Sequence, residues 1–281
     1  MEKTDYIVTE EMLQARPLSA SSLKEFRKSP KHYIQYLKTR KEKTEAMLLG
    51  SLVDCLVLEP EKFDQKFLPW EKFERRSNDA KAKYADLMKM AADNHMTLVS
   101  SDLIDVAQTC KTALMDHDQA RMIIEARQKV QARLKWIDKT TKLPMIGYID
   151  FDAKVWDELF IVDLKTATSG DPDDFNRQAA KLEYHIQAGA YLEGYPRCYF
   201  KFPMMIFLVV ETDEPFNVSV MFCDNNYSET AKDEFHGTLN AFRYCMDNQL
   251  FHQGYEFRLM GTTQYHSMNL PKYIQPKFIT A

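Results

Sequence analysis

A chain of 281 residues, with 45% hydrophobic and 28% charged side chains, has the composition of an ordinary globular protein and can bury one large core. Its formal net charge of −4 argues against a protein that coats nucleic acid with its whole surface, but allows a local basic channel. The longest apolar run, PMMIFLVV, is far shorter than the ~20 residues of a membrane-spanning helix, so we expect no membrane association.

The N-terminal sequence and the cysteines predict a reducing, cytoplasmic environment. The opening MEKTDYIVTE is polar and acidic, unlike a signal peptide. The five cysteines are dispersed, without a CxxC pair, and their odd number suits free buried thiols better than disulfides or a zinc site.

The first part of the chain, up to about residue 128, is predicted to be mainly helical. An amphipathic pattern in LKEFRKSPKHYIQYL indicates a short helix that is interrupted near Pro30 and resumes after it. Gly50 opens a second apolar segment, GSLVDCLVLEP, which Pro60 ends. The pattern from about residue 79 to 127 is again helical, with a break at 97–101 and an N-cap at Ser101.

Basic side chains cluster in this helical part and could contact phosphates. A solvated helix face explains any one cluster equally well, so both interpretations stay open. The residues concerned are Lys24, Arg27, Lys28, Lys31, Arg40, Lys41, Lys43, Arg75 and Arg76.

Strand character begins near Val130 and leads into the most informative segment, MIGYIDFDAKVWDELFIVDLKTA. A tight turn at Trp156–Asp157 would place residues opposite each other when their numbers sum to 313. Asp150 then faces Asp163 across an antiparallel pair, and Lys165 shares a strand face with Asp163.

Two close carboxylates repel each other unless a cation lies between them, and Mg²⁺ is a hard ion that binds oxygen ligands. A neighbouring lysine could orient or activate a water molecule. The pattern therefore indicates a metal-dependent nuclease. The alternatives are a solvated sheet face that happens to carry Asp150 and Asp163, and Asp152 as a rival ligand with the same facing.

A helix is predicted after this hairpin, with Asp171 as N-cap, Pro172 in its first turn, and Gly194 and Pro196 as its stop. Two strands follow, at 204–211 and 216–223. A helix at about 228–249 and an irregular tail complete an α/β chain with a mixed central sheet.

One face of the first of these helices carries Tyr184, Gln187 and Tyr191 at helical spacing. A glutamine and a tyrosine one turn apart can hold a water, an amine or a phosphate oxygen. A packed aromatic stripe with one satisfied glutamine is the alternative, and His185 is expected to be structural.

The chain resembles the PD-(D/E)XK nuclease superfamily, and within it the RecE-like phage and prophage exonucleases of the exodeoxyribonuclease VIII type. The resemblance covers most of the chain, and its motifs occur in the family's order: LSASSLKEFRKSPKHYIQYL, GSLVDCLVLEP, RRSNDAKAKY, GYIDFDAK with FIVDLKTA, YHIQAGAYLEGY and NLPKY. It implies a restriction-endonuclease-like α/β core, a mixed central β-sheet flanked by helices. All 281 residues would form one domain, with the sheet core at about 129–250.

The resemblance also implies roles for individual residues. Asp150 and Asp163 would bind Mg²⁺ or Mn²⁺ together with the carbonyl of Leu164, and Lys165 would position the attacking water. Two further residues, Gln187 and Tyr191, would match the family's helix motif beside the site.

Several positions depart from the family pattern. Asp54 stands where the family carries a metal-binding histidine, and an aspartate can also bind these ions. Gln131, five residues before Trp136, replaces a glutamate and would lower the negative charge around the metals. Met145 and Tyr148 replace residues that tend to be basic, which puts DNA contacts at that edge in question.

The activity implied is a 5′→3′ exonuclease that acts on double-stranded DNA ends in a bacterial host cell and leaves 3′ single strands for a single-strand annealing recombinase. Relatives form rings, so a trimer or tetramer is expected. Its channel would be lined by Lys24, Arg27, Lys28, Arg75 and Arg76.

Two other interpretations stay open. One is a different PD-(D/E)XK nuclease, such as an endonuclease or a single-strand-specific enzyme. The CRISPR-adaptation type is disfavoured because its iron–sulfur cysteine cluster is missing. The other is a non-catalytic DNA-binding scaffold with the same fold.

Overall fold

The computed structural model of the chain describes residues 6–39, 43–71, 74 and 77–259. Its first part is mainly helical and contains two short strands. These elements are α1 (Glu10–Ala15), α2 (Ala20–Lys28), α3 (Pro30–Lys38), α4 (Glu45–Leu58), a 3₁₀ turn (Pro60–Lys62), α5 (Phe63–Lys66), β1 (Phe67–Trp70), α6 (Asn78–Asp93), β2 (Thr97–Ser100), α7 (Ser101–Asp116) and α8 (Asp118–Glu125).

The second part contains the central sheet and three long helices. Its elements are β3 (Arg127–Ile137), β4 (Pro144–Val155), β5 (Glu158–Ala167), α9 (Pro172–Lys181), α10 (Tyr184–Tyr199), β6 (Met204–Glu211), β7 (Val218–Cys223), α11 (Asn225–Asp247) and a 3₁₀ turn (Tyr255–Leu259).

Five strands form the central sheet in the order β3-β4-β5-β6-β7. Neighbouring strands are antiparallel except β5 and β6, which are parallel and joined by the crossover through α9 and α10. The predicted mixed sheet flanked by helices is therefore confirmed.

Helices cover both faces of this sheet, which explains why its inner strands are apolar on both sides. Ile161, Phe207 and Val209 face a cluster with α2, α3, α9, α10 and α11. Val162 and Leu208 face a second cluster with α4, α7 and α8.

The hairpin between β4 and β5 has the predicted register. Phe151 pairs with Val162 and Asp152 with Ile161, so that paired numbers sum to 313. The turn residues Trp156 and Asp157 both have left-handed backbone, with φ of 49° and 68°.

The single helix predicted after the hairpin is wrong, because two helices occupy this segment. The break falls at Glu183, whose φ is 52°, and Asp171 caps the first helix as predicted. Pro196 does not stop the second helix, which continues to Tyr199 and keeps Tyr195 fully buried. Tertiary packing overrides the local cost of the proline here.

Other boundaries differ by a few residues, and one sheet was not predicted. The predicted break at 97–101 contains strand β2 (Thr97–Ser100), which is parallel to β1, and the N-cap of α7 is Ser100 rather than Ser101. Helix α4 begins well before Gly50, capped by Thr44. Helix α11 begins at Asn225 because Asp224 accepts a hydrogen bond from the Tyr227 amide.

The sequence predicts free cysteines and no membrane-spanning helix. All five cysteines are free, as their spacing predicts. Within the ranges that the structure describes, none of the helices combines the length and apolar character needed to cross a bilayer.

Helices α10 and α11 are in close backbone contact at Gly189. A Cβ atom built there would lie 2.2 Å from the carbonyl oxygen of Ala231 and 2.8 Å from Cβ of Phe235. Only glycine therefore allows this helix crossing, which holds α10 against the sheet.

We expect Gly189→Ala to lower the free energy of unfolding by about 1–3 kcal/mol, because backbone atoms must move apart. Gly237→Ala on α11 is the matched control. A Cβ there meets nothing within 4 Å, so it should raise stability by up to about 1 kcal/mol. Urea unfolding of both variants tests this, and equal stabilities would contradict the close crossing.

Candidate active site

Strands β3 and β4 twist sharply beside the candidate site. On β4, Ile149 belongs to one buried cluster and Phe151 to the other, although side chains two apart normally share a face. On β3 the same change occurs between Val130 and Ala132. Between them lies Gln131, whose φ of 50° is left-handed.

Beyond this twist, the side chain of Asp150 takes the place of a β4 backbone acceptor in the pairing with β5. The register places Asp150 opposite Gln131, and its Oδ2 accepts a hydrogen bond of 2.8 Å from the Leu164 amide. The carboxylate is therefore held by a backbone donor of β5, one residue beyond Asp163, which it was predicted to face. This places the two predicted carboxylates at the same point of the sheet.

Asp163 lies on β5, is almost fully buried, and receives hydrogen bonds on both oxygens. Nε2 of Gln187 donates to its Oδ1 at 2.7 Å, and Nζ of Lys165 donates to its Oδ2. The same Gln187 amide lies 3.0 Å from the Tyr191 hydroxyl, which donates to the carbonyl of Tyr148 at 2.5 Å. The structure thus brings together the four residues predicted from the Asp-x-Lys and helix motifs.

Lys165 remains charged despite its burial. Burial alone would lower its pKa, but Asp163 and Asp150 outweigh that effect and raise the pKa above its usual value. Its ammonium also lies 5.0 Å from the centre of the Tyr184 ring. A lysine in this state can orient a water and stabilise negative charge, but it cannot accept a proton.

Asp150 and Asp54 are the two carboxyl groups of the site whose pKa values are raised. Burial, followed by the charges of Asp163 and Asp54, raises the pKa of Asp150 well above its usual value. Burial and Asp163 raise the pKa of Asp54 to about 7, although Lys165 partly offsets them. Asp54 lies on α4, so the helix from the other side of the sheet contributes to the same electrostatic environment.

This donor chemistry suits a hard divalent cation. Asp150 and Asp163 offer carboxylate oxygens, and their mutual repulsion would be relieved by such an ion. The residues that could hold it are these two and the Leu164 carbonyl. Among the described residues, no three His, Cys, Asp or Glu side chains are grouped closely enough to hold a metal ion by themselves.

Lys24 is the predicted DNA-binding residue that lies beside these carboxylates. Burial and Lys165 lower its pKa to about 8, against the opposing effects of Asp163 and Glu183. Its ammonium lies 5.0 Å from the centre of the Tyr184 ring. Lys24 therefore supplies a second cation close to Lys165.

A hollow of about 530 Å³ opens next to Lys24, Gln187 and Tyr191. Arg16 and Tyr36 also line it, and the Arg16 guanidinium lies 5.1 Å from the centre of the Tyr36 ring. Sequence reasoning missed both residues, because the motifs gave no indication that these helices meet the site.

Two more predicted DNA contacts are engaged in ion pairs within the protein. Arg27 bonds to Glu183 at 2.6 Å and to Glu234 at 3.0 Å, which links α2 to α10 and α11. Lys28 is half exposed and pairs with Glu25 at 2.9 Å.

The remaining predicted residues lie outside the described residues, in the core or at the rim of the site. Arg75, Arg76 and the NLPKY motif lie outside the described residues, as do Arg40 and Lys41. Met145 is fully buried, whereas Tyr148 is half exposed and lines the hollow.

The rival ligand Asp152 has a different environment. It is fully buried and accepts hydrogen bonds from the Lys129 amide at 2.6 Å, the Lys129 ammonium at 3.1 Å and the Tyr195 hydroxyl at 2.5 Å. These bonds hold the irregular pairing of β3 and β4 between Arg127 and Val130. Asp152 therefore supports the twist, and its oxygens are already engaged.

Comparisons with known proteins agree with this geometry. A family model described as "PDDEXK-like domain of unknown function (DUF3799)" matches residues 19–253. No curated protein matches.

Two solved structures are similar to the chain. The first, named "Putative exonuclease", comes from Eubacterium rectale, with a TM-score of 0.57 and 14% identity over 88% of this chain and 86% of that chain. The second, SSO0001, has a TM-score of 0.30 and 10% identity over 84% of this chain and 86% of that one, which is too low for an argument. The first confirms the predicted fold class.

The raised pKa of Asp54 predicts a pH-dependent stability in metal-free protein. The unfolded chain releases this proton near 3.8 and the folded protein near 7, so stability falls as the pH rises through that window. Asn cannot ionise, so Asp54→Asn should be more stable than the parent at pH 8, by about 4 kcal/mol, and nearly equal to it near pH 4.

Chemical denaturation in EDTA at several pH values measures this difference. Asp157→Asn is the control, because Asp157 is exposed and the Lys154 ammonium lowers its pKa. That variant should not gain stability at high pH. Parallel pH profiles for Asp54→Asn and the parent would show that Asp54 ionises normally.

Proposed function

This chain belongs to the PDDEXK-like domain family (DUF3799), and from that premise we propose that it is a metal-dependent deoxyribonuclease. Family membership bears out the predicted superfamily, and the narrower RecE-like assignment is part of the proposal. The observation that carries it is the assembly around Asp163, where Lys165 and Gln187 bind the carboxylate next to Asp150.

In the proposed mechanism, Asp150, Asp163 and the Leu164 carbonyl would hold Mg²⁺ or Mn²⁺. A bound ion of this kind polarises the scissile phosphate and lowers the pKa of a bound water. The Lys165 ammonium orients that water and stabilises the charge that develops on the phosphate. Gln187 fixes the Asp163 carboxylate from the α10 side.

Three further residues would tune this centre. Asp54 is coupled electrostatically to Asp150 and Asp163, which supports a role near a second ion. Lys24 adds positive charge beside Lys165 and would contact a DNA phosphate. Gln131, opposite Asp150, would leave the centre less negative than a glutamate there.

We further propose a 5′→3′ exonuclease that acts on double-stranded DNA ends, leaves a 3′ single strand and serves a single-strand annealing recombinase. The motif order in the sequence supports this, and the Eubacterium rectale protein named "Putative exonuclease" shares the fold. A trimeric or tetrameric assembly would let an acidic chain enclose DNA, because only the channel needs basic residues.

We expect Asp163→Asn and Lys165→Ala each to lower the rate of DNA cleavage by at least ~100-fold, because the first would weaken the proposed metal site and the second removes the cation that stabilises the phosphate. Circular dichroism and DNA binding in EDTA should change little. Lys232→Ala removes a surface lysine paired with Glu229 and is the matched control. Cleavage that persists in both site variants would remove the assignment.

The exonuclease proposal predicts a specific product pattern. Linear duplex DNA labelled at its 5′ end should lose the label as mononucleotides with Mg²⁺ or Mn²⁺, whereas EDTA should prevent the loss. A covalently closed circle should remain intact. A cut circle would indicate an endonuclease, and an absence of cleavage with both metals would support the non-catalytic scaffold.

A further inference from the structure

Strand β3 is strongly basic for a chain whose net charge is negative. Its sequence, RQKVQARLKWI, contains four basic residues and no acidic one, and it lies at one edge of the central sheet. Two of the four have partners within the protein. Arg127 donates to the Ile124 carbonyl at 2.9 Å, and Lys129 binds Asp152 at 3.1 Å. The other two basic residues of β3 need a separate explanation.

These two residues, Arg133 and Lys135, are exposed and share one face of β3. Leu134 and Trp136 alternate with them and are buried in the cluster that includes α10, so the two cations point away from that helix. In the part of the chain that the structure describes, neither cationic side chain forms an ion pair or a hydrogen bond. Both are therefore available to an anionic ligand.

The strand register places both cations beside the hollow next to the candidate site. Arg133 pairs with Tyr148 on β4, and Lys135 pairs with Ile146. Both of these β4 residues line the hollow. Directly opposed residues of an antiparallel pair point to the same face, with Cβ atoms about 4.5–5.5 Å apart. Arg133 and Lys135 therefore border the hollow on its β3 side.

The hollow has positive charge of its own. Arg16 and Lys24 line it, and its described lining contains no Asp or Glu. Gln187, which also lines it, binds the Asp163 carboxylate at 2.7 Å. Four cations thus border one opening that leads to the proposed metal site, and the walls of such a cleft concentrate their field. This arrangement favours a ligand with several negative charges.

On the basis of the proposed function, we propose that Arg133 and Lys135 bind consecutive phosphates of the DNA strand beside the phosphate that is hydrolysed. Side chains two residues apart on a strand are separated by roughly 7 Å, which suits two neighbouring phosphates better than a single one. Such contacts fix the position of DNA without reading its sequence. They extend the DNA-binding surface from α2 to β3.

Protection of the sheet edge is the structural alternative. Charged side chains on an edge strand prevent it from pairing with another sheet, and this role needs no ligand. Charge of either sign gives that protection. On β3 and in the described lining of the hollow, however, all the charged side chains are positive, which favours an anionic ligand.

The salt dependence of DNA binding tests the proposal. Fluorescence anisotropy with linear duplex DNA in EDTA, between about 50 and 200 mM salt, gives the slope of log affinity against log salt, which is about 0.9 per phosphate contact. Arg133→Gln and Lys135→Gln should each reduce this slope by about 1, and the double variant by about 2. Their melting temperatures should not change, because both side chains are exposed.

Two control variants separate a local contact from a change in net charge. Arg133→Lys combined with Lys135→Arg keeps both charges and should keep the slope. Lys201→Gln combined with Lys232→Gln removes the same charge from the opposite end of the sheet and from α11, and should change the slope less than the β3 double variant.

Steady-state cleavage with Mg²⁺ distinguishes this proposal from the proposed function. The Arg133→Gln, Lys135→Gln variant should raise KM by at least about tenfold and leave kcat nearly unchanged, because it loses binding that is equal in the ground and transition states. An active enzyme with unchanged slope and KM in this variant would overturn the β3 contacts alone. Self-association of the variant with unchanged DNA affinity would do the same, in favour of edge protection.

The parent chain gives the remaining outcomes. DNA binding that depends on Arg133 and Lys135, without any cleavage, would support the β3 contacts and contradict the nuclease function. A parent chain that binds no DNA would overturn both.

Discussion

The site depends on the balance of charge around Lys165. Two carboxylates, Asp150 and Asp163, are held next to one partly buried lysine, Lys165, and Asp54 adds to their field from α4. Buried charges of one sign are tolerated only when cations or protons compensate them. The lysine compensates Asp163, while the raised pKa values of Asp54 and Asp150 show that the remaining negative charge lacks a full partner.

An interruption of the β4–β5 pairing makes room in the sheet for the Asp150 carboxylate. A regular antiparallel pair would give the Leu164 amide a backbone partner and would leave no room for a carboxylate. The pairing of β4 with β5 ends at Phe151 and Val162, beside the twist at Gln131, and the Asp150 carboxylate accepts the hydrogen bond of the Leu164 amide instead. The hydrogen bonds of Asp152 to Lys129 and Tyr195 hold the twist, so one aspartate supports the position of another two residues away.

The two ends of the sheet show two ways in which a protein departs from maximum stability. At one end, the carboxylates of Asp54, Asp150 and Asp163 lie close together and are largely withdrawn from solvent, which opposes folding unless a cation or a proton compensates their charge. At the other end, Trp156 and Phe200 occupy backbone conformations that suit small residues. A conflict of the first kind is expected where a sequence serves binding rather than packing.

The sequence by itself determined the features that depend on local pattern. The hairpin register follows from strand period and turn position, the capped start of α9 from Asp171 and Pro172, and the pairing of Asp163 with Lys165 from their spacing. Motif order also identified the superfamily that the family match supports.

Only the tertiary structure decided the features that depend on contacts between distant segments. The break at Glu183 coincides with an ion pair to Arg27 on α2, and the pairing of β1 with β2 joins strands about 30 residues apart. Local spacing cannot reveal that Arg16 and Tyr36 line a hollow beside Gln187. The physical reason is that burial and charge compensation are set by neighbours in space, which a linear pattern specifies only within one element.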